Sequence, residues 1–282
     1  MKDLPANCKN CGTELHGRFC SSCGEKALLP EDHSLRHYLS FLINAFTFAD
    51  SKFWRTLKAV VLRPGELSKA YMEGPRSPYM PPLAFFFLAN FIYFLLPLFE
   101  TFNTSLDSQI NHQNFSTWIA PMVNEHLAAT GMDMDAFRAV YEPASTSNAK
   151  LLIVVMVGLL FIPLALVFYG KLKYISASLT AAFEMMAFHL WVSTIALSAF
   201  MFLAVSATNM FGGDGRVLFD DEIISLVVFG LQFHVTMGLA RRFYGCTMAG
   251  SIWRTVVMFA GVAFALSGYR LILFLTTFMQ VT

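Results

Sequence analysis

The run LAFFFLANFIYFLLPLF, residues 83–99, holds no charged side chain. In hydrocarbon a chain must satisfy its own backbone N–H and C=O groups, which leaves only helices and closed barrels. About 20 mostly apolar residues cover a bilayer core as a helix. Five segments meet that length, roughly Tyr79–Phe99, Leu151–Tyr169, Thr180–Ala204, Ile223–Ala240 and Trp253–Met279. Only 14% of the 282 residues are charged, against about 25% in an average soluble chain, and the deficit lies beyond residue 79. The expected fold is therefore an all-α integral membrane protein with about five transmembrane helices, preceded by a polar front.

Basic residues orient the spans. With the N-terminus in the cytoplasm, sixteen of the twenty Lys and Arg fall on the cytoplasmic side. Three fall outside, and Arg270 lies within a span. Cytoplasmic loops carry the Lys and Arg excess in membrane proteins, so the expected topology is N-in and C-out. MKDLPANCKN has no apolar stretch of the kind that directs secretion. A net charge of +1 gives no electrostatic footprint for nucleic acid. The 100–150 loop is expected outside, with MDMDAFRAVYE forming one short helix. The acids Asp220, Asp221 and Glu222 are placed to favour the N-terminus of the fourth span.

The front opens on CKNCGTELHGRFCSSCGE, two copies of C-x-x-C-G. Two intervening residues let both thiolates of a tight turn face one centre, and the glycine accepts the positive φ that this turn needs. Cys8, Cys11, Cys20 and Cys23 then form a tetrahedral all-thiolate metal site. Zinc is the expected ion, one per chain, with iron the less favoured fit. Disulfides are disfavoured in a reducing cytoplasm. Four protein ligands leave no open position, so the site is structural, and so small a module depends on its metal to fold. The module, residues 1–29, is expected to present a rigid surface to a partner. Cys246, a lone thiol, reads as a small buried apolar residue.

Residues 30–78 form a collar of amphipathic helices. Leu35, Tyr38, Leu39, Leu42, Ile43 and Phe46 share a face, and so do Phe53, Trp54, Leu57, Val60 and Val61. Arg63-Pro64-Gly65 breaks the second helix, and Glu66–Met72 forms a short one that stops at Gly74-Pro75. Helices with Trp on one face and Lys or Arg on the other lie at the lipid interface, near anionic headgroups. They can also pack on the span ends. His33 and His37, one turn apart, offer only two ligands and read as a polar face.

The chain resembles an uncharacterised bacterial family of zinc-ribbon, multi-pass membrane proteins, a domain of unknown function. The resemblance rests on CKNCGTELHGRFCSSCGEK, on His33 and His37, and on FADSKFWRTLKAVVLRPGELSKAYMEGPRSPYMPPL. Within it Asp50, Thr56, Pro64, Gly65, Tyr71, Gly74, Arg76, Tyr79 and Pro82 follow the family pattern, and PLAL at 163–166 and His189 fit further on. It implies a bacterial inner membrane location and supplies no activity to carry over.

Ionisable groups inside spans are costly and so are functional candidates. Glu184, His189, His234 and Arg270 are the four here. They read either as a path for protons, ions or an anionic substrate, or as interhelical hydrogen bonds with Glu184 and Arg270 reaching to the interface. Gly230, His234 and Gly238 share a face, which predicts that His234 meets another helix. No H-E-x-x-H, G-x-S-x-G or phosphate-loop motif is present, which disfavours an enzyme. Three functions compete. The first is a non-enzymatic accessory, scaffold or regulatory subunit engaging a protein partner, or a second copy, through its ribbon and collar. The second is a transporter or channel lined by His189, His234 and Arg270. The third is a lipid-directed membrane enzyme using His33, His37, Asp50 and Arg76. The first is preferred.

Overall fold

Two units divide the chain, Met1–Trp54 and Arg55–Thr282. The computed structural model describes residues 6–8, 10–17, 19–23, 51–95, 102–172, 174–213 and 221–282. Among the described residues the regular structure is helical, with one isolated antiparallel bridge between Asn7 and Glu14 and no strand. Helix α1 covers 51–62. It is followed by α2 (Glu66–Glu73), α3 (Pro82–Leu95), α4 (Leu106–His112), α5 (Ser116–Thr130), α6 (Met134–Leu151) and α7 (Ile153–Val167). Then come α8 (Ser176–Phe188), a π-helical segment His189–Ala196, α9 (Leu197–Met210), α10 (Asp221–Gly238), a second π-helical segment Leu239–Phe243, and α11 (Met248–Val281).

Among the described residues three stretches are long and apolar enough to cross a membrane: Ser176–Met210, Glu222–Phe243 and Met248–Val281. A fourth arises if α6 and α7, which meet at a 58° bend, form one broken span. This is the membrane protein that the apolar runs predict, with differences in detail. The expected span 151–169 is a 15-residue helix, α7, joined to the polar α6 through Leu152. The expected span 79–99 is described only as far as Leu95, as the 14-residue apolar α3.

Helix α8 is the hub. Ala177, Ala181, Ala182, Glu184, Met185, Met186, Ala187 and Phe188 are all buried, nearly all round the helix. Its alanines let neighbours approach closely, as small residues do in membrane helices. It packs on α3 and α7, with Phe86 of α3 against Phe183 at 5.5 Å. Phe85 stacks on Trp191 one turn beyond. Helix α7 buries Ile153, Met156, Val157, Leu160 and Leu164, a helical stripe. It rests on α11, where a Cβ on Gly261 would stand 2.6 Å from Cβ of Pro163. The Arg254 guanidinium donates to the Val167 carbonyl at the α7 C-terminus, where a cation complements the helix dipole.

The 100–150 stretch, expected as a polar loop with one short helix, forms three. Leu106, Phe115, Ile119, Val123, Phe137 and Tyr141 gather on Phe274 of α11. Ser105 and Asp133 cap α4 and α6, each side chain accepting a backbone N–H. At about 1.5 Å per residue the 34-residue α11 runs roughly 50 Å, well beyond a bilayer core of about 30 Å. Its excess length supplies the surface on which α4–α6 sit.

The two glycines of opposite surroundings make a test. Gly261→Val forces methyls into the rigid Pro163 ring and is expected to destabilise by about 1–3 kcal/mol. Gly230→Ala meets nothing within 4 Å and is expected to leave thermal unfolding in detergent unchanged or slightly higher. Equal melting of the two variants would contradict the α7–α11 contact.

Candidate functional site

In the N-terminal unit the two C-x-x-C turns converge. All four Sγ atoms of Cys8, Cys11, Cys20 and Cys23 lie within 4.8 Å of one another. Cys8 and Cys23 are 3.6 Å apart and Cys11 and Cys20 3.5 Å. These separations exclude disulfides, whose sulfurs sit about 2.05 Å apart. A tetrahedral ion with metal–thiolate bonds of about 2.3 Å has edges of about 3.8 Å, so the cluster fits one metal ion. The first turn closes through Gly12 N–H to Cys8 O (2.9 Å) and Cys8 N–H to Thr13 O (2.8 Å), with Gly12 at φ 75°. Hydrogen bonds from the Thr13 hydroxyl and amide, and then from Cys23 and Cys20, hold Cys11 down at about 6. Thiolate character at that pH is what metal ligation requires.

In the larger unit the buried carboxylate of Glu184 sits at the N-terminus of α2. Its Oε1 accepts the Gly65 N–H and its Oε2 the Ser68 N–H, both at 2.7 Å, and Oε2 also accepts the Ser68 hydroxyl. The first amides of any helix lack intrahelical partners. Here they are met by a carboxylate 116 residues or more along the chain. The approach requires glycine twice. Gly65 adopts φ 91°, and a Cβ there would lie 3.0 Å from Gly238 O. A Cβ on Gly238 would stand 2.7 Å from Cβ of Pro64. Arg242 donates to Pro64 O at 3.2 Å, so the end of α10 and the π-helical segment after it grip the Arg63-Pro64-Gly65 turn from the other side.

Around this lock, Tyr79 donates to Glu66 and the Met80 amide to the buried Thr56 hydroxyl. Arg63 pairs with Glu66 at 2.9 Å. The Gly65 turn and the helix stop at Gly74 fall where the residues predict, although Gly74 is extended (φ −168°) rather than left-handed. Of the apolar stripe on α1, Val60 is fully buried and Trp54 is 63% exposed, so the stripe splits between packing and surface.

The intramembrane candidates are not brought together. Glu184 is wholly taken up by α2 and does not reach to an interface. His234 is exposed rather than enclosed between helices, and its Nε2 meets the Val61 carbonyl of α1 at 2.8 Å. His189 Nδ1 lies 3.3 Å from Ser193 Oγ. Phe188 stands beside both histidine rings, at 5.8 Å and 6.0 Å. Arg270 reaches Gln113 at the end of α4. Of the shared small-residue face, Gly238 makes its close contact and Gly230 makes none. Cys246 is buried, as expected. Arg76 is exposed near Tyr71, and His33, His37 and Asp50 lie outside the described residues. Ser68 was not among the residues singled out from sequence. Its only signal is its place in the first turn of a helix that follows a glycine break.

A family described as "Protein of unknown function (DUF3667)" matches residues 50–94. No curated protein and no solved structure matches the chain. The matched residues run from α1 through α3 and contain Thr56, Pro64, Gly65, Ser68 and Tyr79, so the lock on Glu184 is made largely from the segment with that likeness.

Glu184→Ala strands the buried Gly65 and Ser68 amides. The expected loss is about 3 kcal/mol, at about 1–3 kcal/mol for each orphaned donor, read as earlier thermal unfolding in detergent and faster tryptic cleavage at Lys69. Gly65→Ala should give the same cleavage by straining the positive φ. Wild-type protection of Lys69 in both variants would refute the role assigned to this carboxylate.

Proposed function

We propose that the chain is a non-enzymatic accessory, scaffold or regulatory subunit of a bacterial inner membrane, N-in and C-out across about five spans. It engages a protein partner or a second copy through a cytoplasmic zinc module. The collar helices sit among anionic headgroups. The observation that carries this reading is the closed donor set. Cys8, Cys11, Cys20 and Cys23 lie close enough together to supply all four ligands of a tetrahedral ion, which would leave no position for a water or substrate. Such a metal organises a surface and performs no reaction. Zinc suits it best, being redox-inert and content with four thiolates.

Transport through Glu184, His189, His234 and Arg270 draws less support. Glu184 is held by three donors at the start of α2, His234 meets a backbone carbonyl, and Arg270 reaches Gln113 through one guanidinium nitrogen. Groups held in fixed contacts on different elements make a poor relay.

Metal analysis of the purified protein should give about one zinc per chain, and iron in its place would redirect the reading to electron transfer. A double Cys11→Ser, Cys23→Ser variant should lose the zinc and a stoichiometric partner in mild-detergent purification, while the membrane bundle keeps its melting point. A partner retained in full by the zinc-free variant would refute the module's role. A reporter fused after Thr282 is expected to be active only outside the cytoplasm; cytoplasmic activity would overturn the topology.

A further inference from the structure

One cavity lies within the membrane-spanning stretches and outside the lock and the metal module. It has a volume of about 440 Å³ and is walled by α7, the His189–Ala196 π segment, α10 and α11. Most of the wall is hydrocarbon, with Leu160, Phe229, Phe259 and Val262 among its residues. Polar groups interrupt it, and three of their atoms are unmet. His189 Nε2, Thr194 Oγ1 and Gln232 Oε1 are buried, line this same cavity and have no hydrogen-bond partner. Thr194 is only 3% exposed and Gln232 4%. The His189 ring and the Gln232 amide lie close enough to influence each other without hydrogen-bond alignment. The other end of the Gln232 amide bonds Thr236 at 2.9 Å. Whichever way that amide is turned, one end is left in the cavity.

Unsatisfied buried polar atoms are costly, more so at the depth of hydrocarbon, and each calls for an explanation. Gln232 is ten residues into the Glu222–Phe243 stretch, about 15 Å from either end. Ser193 Oγ beside His189 Nδ1 leaves Nε2 as the ring atom that faces the cavity. Histidine, threonine and amide together can donate and accept, and none carries a fixed charge. Of the lining residues on α10, Phe229 is 59% exposed and Val228 37%, and from this exposure we infer a mouth on the outer face of that helix. That surface is the one a bilayer covers, so entry is from the lipid. A volume of this size falls in the range of small-molecule sites that pair an apolar wall with a few polar groups. We propose that the cavity binds a neutral, lipid-phase molecule. Its hydroxyl or carbonyl head would meet His189, Thr194 and Gln232, and its apolar body would lie against the wall and out between Val228 and Phe229.

The test uses the whole protein in lipid nanodiscs and a matched pair of photoreactive probes. One is a long-chain alcohol with a diazirine in its chain, and the other is the same chain ending in a methyl group. Two hydrogen bonds to neutral groups predict roughly tenfold stronger labelling of cavity residues by the alcohol. Thr194→Val with Gln232→Leu should bring the two probes level. Val228→Trp, which fills the mouth and leaves the polar atoms in place, should abolish cavity labelling by both. Thermal unfolding of each variant confirms that it is folded. Equal labelling by both probes in the wild type would overturn the proposal, since the polar atoms would then be serving water or one another. So would an alcohol preference that survives Thr194→Val with Gln232→Leu.

Discussion

Glu184 is the contact on which the larger unit depends. Taking a carboxylate out of water costs several kcal/mol even after relaxation. Against that stand three donors, each worth about 1.5–3 kcal/mol when the acceptor is charged, and a helix N-terminus worth up to about 2 kcal/mol in a partly buried setting. The sum favours burial only while the set is complete, so the site is all or nothing. Gly65 must hold φ 91°, Gly238 must have no side chain, and Ser68 must turn its hydroxyl inward. The packing of α2 on α8, and the grip of α10 on the turn before α2, follow from the same few atoms. This explains why an eight-residue helix too short to be stable alone is held at a fixed place.

The chain-local parts of this arrangement were legible in the residues. Paired C-x-x-C-G motifs place four thiolates within one turn each of the centre. Arg63-Pro64-Gly65 and Gly74-Pro75 mark both ends of α2, because proline and glycine act on the backbone where they stand. Apolar runs announce the spans for the same reason. What was not legible depends on partners far along the chain. Glu184 stood out as an ionisable group in a span, yet nothing near it names Gly65 and Ser68 as its donors, 119 and 116 residues away. His234 was read as meeting another helix, and it does, but the residues did not name that helix as α1, nor the Val61 carbonyl as its partner, nor the ring as exposed. A backbone acceptor has no residue identity for a sequence pattern to detect. Hydropathy likewise gave no sign of the bend at Leu152, since a broken helix and a loop next to a helix have similar composition. The three-helix cap on α11 was hidden because its apolar residues, Ile119, Phe137 and Tyr141, are spread among polar ones.

Both structured polar sites are closed. The thiols face one another at separations that fit a metal ion, and the Glu184 oxygens have Gly65 and Ser68. Elsewhere in the bundle the pattern repeats, with Tyr269 donating to Ala149 O and Tyr141 to Gln109. Against that standard the cavity beside α10 stands out, because three unmet polar atoms gather at one place. Its unmet atoms come from separate elements, the π segment and α10, and meet at one apolar space. A π-helical turn widens the spacing of side chains along an α-helix, and such turns are frequent at functional sites. Here one begins at His189 and carries Thr194 into the cavity wall. Natural chains are consistent across levels except where function demands otherwise. A bundle that satisfies a fully buried glutamate with three donors could have satisfied a threonine and a glutamine just as well, so the open donors and acceptors of this cavity are what the proposed lipid-phase molecule would meet.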